Sequence, residues 1–151
     1  MSFGIEREAP SVIPFSELYD KDTLSNSYLV GYVHYSSPLI GGSISLYPDS
    51  NGNDEDFYFT STIGSNTVTF SYYVIFDPIR CDNVSSPLII DPSNNSFDTE
   101  YGIVYSAIDT QNSTEYVVTG NIRIILDNNL ILTSYPAASY TSKIYAVFIA
   151  D

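Results

Sequence analysis

Thr67-Val68-Thr69-Phe70-Ser71-Tyr72-Tyr73-Val74-Ile75-Phe76 is the stretch on which the fold turns. Val68, Phe70, Tyr72, Val74 and Phe76 fall on one side of an extended chain, and Thr67, Thr69, Ser71, Tyr73 and Ile75 fall on the other. That period of two belongs to a strand; at the 3.6-residue period of a helix the two sets would mix. The residue types agree, because β-branched and aromatic side chains suit a pleated surface. Gly64-Ser65-Asn66 precede the stretch as a tight turn, and Phe57 to Ile63 before them read as a partner strand. Asp77-Pro78 is expected to end the strand, since proline cannot donate to a central ladder.

Outward from this hairpin the reading stays β. Tyr28 to Tyr35 are rich in aromatic and β-branched types, and Pro38 with Gly41-Gly42 punctuates the chain after them. Ser43 to Tyr47 alternate, with Ile44 and Leu46 on one face. Leu88-Ile89-Ile90, between Pro87 and Pro92, make a short edge strand at best, inside an irregular stretch from Ile79 to Glu100. Tyr101 to Ile108 and Tyr116 to Leu126 are further strands. Asp127-Asn128-Asn129 turn the chain into Leu130 to Ser134, a hairpin favoured by the tolerance of Asn and Asp for positive φ. Lys143 to Ile149 are apolar on both faces, which predicts a strand covered on both sides. No window has a sustained helical period; Ser16 to Tyr19 offer one turn at most.

The expected fold is therefore all-β: one antiparallel β-sandwich or jelly-roll-like barrel of about eight strands over residues 27–151. Residues 1–26 differ, with Pro10, Pro14 and five carboxylates but little alternation. They read either as a frayed terminus or as an irregular N-terminal arm that docks on a neighbouring subunit through Phe3, Ile5, Val12, Ile13 and Phe15.

Composition narrows the role. The 151 residues include 22 Ser, 11 Thr, 14 Tyr and 11 Asn, whereas only 15% are charged. Strands faced with hydroxyls and amides can pack on other molecules without desolvating many charges. Eighteen carboxylates oppose five cations, Arg7, Lys21, Arg80, Arg123 and Lys143, for a net charge of -13. Nucleic acid needs clustered cations, so it is not an expected partner, and anionic membrane surfaces are repelled by the same imbalance. Met1 to Pro10 have no apolar run of the kind a Sec-type signal peptide carries, and no stretch is long and apolar enough for a membrane helix. The single cysteine, Cys81, rules out an intrachain disulfide, so non-covalent packing holds the fold.

Candidate chemistry is sparse. Asp49, Asn51 and Asn53 place oxygen ligands at alternate positions of an acidic loop running to Asp56, as a calcium site requires. Asp54 stands where an EF-hand loop has its turn glycine and Thr60 where it has its bidentate Glu, so turn geometry is the plainer account. His34 is the only histidine, lies within a strand, and has no nucleophile motif beside it. Cys81 sits between Arg80 and Asp82, whose effects on a thiolate oppose each other. One His and one Cys fall short of a zinc set. An enzyme is thus not expected, nor a cofactor other than calcium at that loop. Two functional expectations follow. The first is a structural protein of a viral or phage particle, such as a capsid decoration, cement or minor coat protein, located in the virion and meeting other protein subunits in a homo-oligomer or capsid lattice. The alternative is a carbohydrate-binding or adhesin-like β-sandwich module. Strand tyrosines such as Tyr28, Tyr32, Tyr35, Tyr72, Tyr73, Tyr101, Tyr105, Tyr116 and Tyr145 serve either expectation, because each has an apolar ring and a polar tip.

Overall fold

The computed structural model describes residues 2–7, 27–48, 57–82, 86–90, 103–105, 107–109, 115–126, 136 and 138–150. Among them there is no helix. Ten strands run in chain order: β1 (Ser2–Arg7), β2 (Tyr28–Ser37), β3 (Gly42–Pro48), β4 (Phe57–Ile63), β5 (Asn66–Arg80), β6 (Leu88–Ile89), β7 (Ile103–Tyr105), β8 (Ala107–Asp109), β9 (Glu115–Leu126) and β10 (Ile144–Ala150). Every pairing is antiparallel.

Seven strands form one sheet, curled into a half-barrel, in the order β1-β2-β9-β5-β4, with β6 beside β5 and β8 beside β9. The other three form a second sheet, β10-β3-β7. The two long strands organise the first sheet. On one edge of β5, β4 covers Asn66 to Tyr72 and β6 covers Ile75 and Phe76. On one edge of β9, β8 takes Glu115 to Val117 and β5 takes Thr119 to Leu126. A bridge between Thr60 and Thr141, with N···O distances of 2.9 Å in both directions, ties β4 to the approach of β10.

Alternation puts one face of the large sheet in the core. Val33 and Tyr35 of β2, Phe70, Tyr72, Val74 and Phe76 of β5, and Val118, Ile122, Ile124 and Leu126 of β9 are buried together. Ile44 and Leu46 of β3 join them from the small sheet. Tyr35 stacks on Phe148 of β10, ring centroids 4.1 Å apart, which clasps the sheets together. At the other end Phe59 lies 4.5 Å from Tyr72 and 5.2 Å from Phe70, and Tyr140 lies 5.1 Å from Phe70. The β2–β3 corner is pinned from within. The Tyr35 hydroxyl donates to the Ile40 carbonyl, and the buried Ser37 Oγ accepts from the amides of Leu39 (3.2 Å) and Ile40 (3.3 Å). In the β4–β5 hairpin Ile63 pairs with Asn66 around Gly64-Ser65, and Gly64 takes φ +63°, a left-handed value that glycine adopts without steric cost.

Several expectations need correction. β5 does not stop at Asp77-Pro78; it pairs with β9 as far as Arg80, with a register shift between Pro78 and Arg80. The proline is tolerated because β6 pairs only with Ile75 and Phe76, so Pro78 lies beyond the part of that edge where β6 needs a donor. The single strand expected over Tyr101 to Ile108 is two. β7 pairs with β3 in the small sheet and β8 with β9 in the large one, so Tyr105 and Ala107 belong to different sheets. β10 is not covered on both faces along its length, since Tyr145 is exposed. The N-terminal segment is not irregular throughout: Ser2–Arg7 pairs with β2, with Phe3 opposite Tyr35 and Ile5 opposite Val33. Val12, Ile13, Phe15, the turn at Ser16 to Tyr19, the loop with Asp49, Asn51 and Asn53, and the hairpin after Leu126 lie outside the described residues.

Candidate functional site

The face of β2, β9 and β5 turned away from the core carries the chemistry. It is built by the residues that alternate with the core set: Tyr32, His34 and Ser36 of β2, Thr119, Asn121 and Arg123 of β9, and Tyr73, Ile75 and Asp77 of β5. Register sets the neighbours. Tyr32, Asn121 and Asp77 form one row across the three strands. His34, Thr119 and Arg80 form the next, and Leu29, Arg123 and Ile75 lie on the other side. Asp77 and Tyr73 are both diagonal neighbours of Arg123, within reach of a long side chain.

Arg123 uses that reach. Its Nε donates to Asp77 Oδ2 at 3.2 Å, and its Nη1 donates to the Ser27 carbonyl at 3.3 Å. The ion pair is about a third exposed, at 28% and 31%, so water screens it and its contribution to stability is of the order of 1 kcal/mol or less. Its larger effect is to hold the guanidinium still. Among the described residues the side chains of Arg123, Asp77, Asn121 and Thr119 make no further hydrogen bond. Arg123 Nη2, Asp77 Oδ1 and the Asn121 amide therefore keep hydrogen-bonding capacity for another molecule. Tyr32 (37% exposed) and Tyr73 (44%) present ring surface on either side.

The other singled-out residues divide plainly. His34 is half-buried opposite Thr119. Cys81 is half-buried against the core and forms no disulfide. The tyrosines split by parity: Tyr35 and Tyr72 are core, Tyr32, Tyr73 and Tyr145 are exposed, and Tyr28 and Tyr116 are half-buried. Tyr101 lies outside the described residues. No group of three or more His, Cys, Asp or Glu side chains converges on a point suited to a metal among the described residues. Asp77, Asn121 and Arg123 were missed by motif reasoning. Their signal was parity: Asn121 and Arg123 alternate with Ile122 and Ile124, which places an amide and a cation on the face opposite an apolar stripe.

Among the described residues burial perturbs one titratable group strongly. Removal from water pushes the Tyr72 hydroxyl up to about 12, and its 2.6 Å hydrogen bond with Ser142 Oγ acts weakly in the other direction. The folded state thus holds this proton more tightly than the unfolded chain, whose tyrosines ionise near 10. The resulting stability is intact below pH 10 and is lost as pH rises toward 12. By pH 11 the loss reaches about 1.4 kcal/mol. Tyr72→Phe costs about 1 kcal/mol at pH 8 through the lost hydrogen bond. The gap between the two proteins is expected to close by pH 11, as read by urea unfolding at each pH.

Comparison with protein families, with curated proteins and with solved structures finds no match to this chain. No helix among the described residues is long and apolar enough to cross a membrane.

Proposed function

We propose that this chain is a non-enzymatic structural subunit of a viral or phage particle, a decoration, cement or minor coat protein of the capsid. It is a β-sandwich that acts through contacts with other copies or with a capsid lattice. The observation that carries this reading is β1. Residues from the N-terminal segment form the last strand of the large sheet, held among the described strands by β2 alone. An edge strand offers its outer backbone groups to another chain, and a terminal strand is the kind of element that copies exchange. The hydroxyl-rich composition supports the same reading, because contacts between such surfaces desolvate few charges.

Light scattering coupled to size-exclusion chromatography tests it, on the full chain and on a chain lacking residues 1–26. The full chain is expected to associate with rising concentration. The truncated chain is expected to stay monomeric with a β-type circular dichroism spectrum. A full chain that remains monomeric at every concentration overturns the reading that copies contact one another through β1. A truncated chain that unfolds places the segment in the domain core and removes it as an assembly arm.

A further inference from the structure

We propose that the outer face centred on Asn121 binds a neutral saccharide through two adjacent hydroxyls. This goes beyond the assembly role and does not depend on it, since every group involved belongs to one copy. Three polar residues from two strands are neighbours there: Asn121 stands opposite Asp77 in the β5–β9 register, and Arg123 reaches Asp77 from the same strand as Asn121. Arg123 Nη2 and the Asn121 amide nitrogen donate; Asp77 Oδ1 and the Asn121 amide oxygen accept. A sugar hydroxyl both donates and accepts, so a neighbouring pair satisfies such a mixed set, whereas a carboxylate or phosphate satisfies only the donors.

Charge argues the same way. Asp77 at 3.2 Å from Arg123 neutralises the cation, and the chain carries -13, so an anion is repelled. A cationic ligand would meet the guanidinium. A neutral polyol meets neither obstacle. Preorganisation adds to the fit: acceptors on two other segments, Asp77 and Ser27, already hold Arg123 in place, so little side-chain freedom is lost on binding. Tyr32 stands directly across from Asn121, and Tyr73 diagonally from Arg123. Their exposed rings supply the apolar surfaces on which the C–H face of a pyranose packs.

Saturation-transfer NMR on the full chain tests the proposal. The probes are the methyl glycosides of glucose, galactose and mannose, with sialyllactose as the anionic counterpart. Saturable transfer to at least one neutral glycoside is expected. Asn121→Ala and Arg123→Gln are each expected to weaken it about tenfold or more, the loss of one or two hydrogen bonds to a charged or amide group. Leu39→Ala, on an 88% exposed side chain away from this face, is expected to leave it unchanged. Asn121→Ala keeps the test sound if Arg123→Gln loosens the fold, because the Asn121 side chain makes no hydrogen bond among the described residues. The proposal is overturned by absence of transfer to every neutral glycoside. Binding that survives Asn121→Ala, or binding confined to sialyllactose, overturns it equally.

Discussion

Tyr35→Ala is expected to destabilise the protein by about 3–5 kcal/mol, enough to unfold many domains of this size. Tyr35 is 1% exposed, in the middle of the contact between the two sheets. Truncation removes its ring from Phe148, 4.1 Å away, and leaves a void between β2 and β10. It also strips the Ile40 carbonyl of its donor at the β2–β3 corner. Tyr35→Phe separates these effects. It keeps the stack and loses only the hydrogen bond, so the expected cost falls to about 1–2 kcal/mol. Equilibrium urea unfolding of the three proteins checks the series. Equal losses for Ala and Phe would show that the hydroxyl, rather than the ring, holds the sheets together.

Gly120→Ala is expected to cost about 2–3 kcal/mol, although it adds a single methyl group. Gly120 is on the core face of β9, and the Phe76 ring lies over its backbone. A Cβ there would sit 2.6 Å from Phe76 Cε2, closer still to Cζ, and 3.0 Å from the Asp77 carbonyl oxygen. Phe76 is 1% exposed, so its ring has nowhere to retreat without disturbing Val74 or Ile122 beside it. The backbone of β5 would have to move away from β9 instead. Phe76→Leu in the Gly120→Ala background is expected to recover part of the loss, because the smaller side chain vacates the place of the new methyl. A double-mutant cycle by chemical denaturation measures that coupling. Additive losses would mean the clash is relieved elsewhere, with the strands sliding apart.

Most of the strands were legible from local pattern. β2, β3, β4, β9 and β10 begin and end within about two residues of where alternation and turn residues place them. Alternation also puts Tyr72 and Tyr73 on opposite faces, and the structure buries the first and exposes the second. The errors share a cause. Pro78 signals a stop only when its missing donor is counted without the strand that stands beside it. Residues 101–108 read as one strand because nothing local marks the point where a chain leaves one sheet for another. Ile75 is a further case: its parity puts it on the outer face, yet it is fully buried.

The candidate site shows the same divide. Tyr32 and Tyr73 were visible as strand tyrosines, but Asp77 and Arg123 are 46 residues apart in the chain and nothing local relates them. What the chain settles alone is which residues turn inward along each strand, because that follows from the two-residue repeat of an extended backbone. Which strands become neighbours, in what register, and hence which polar groups meet on the far face, is decided only by tertiary pairing. Registers compete through the burial of the whole apolar face, and that energy belongs to no single segment.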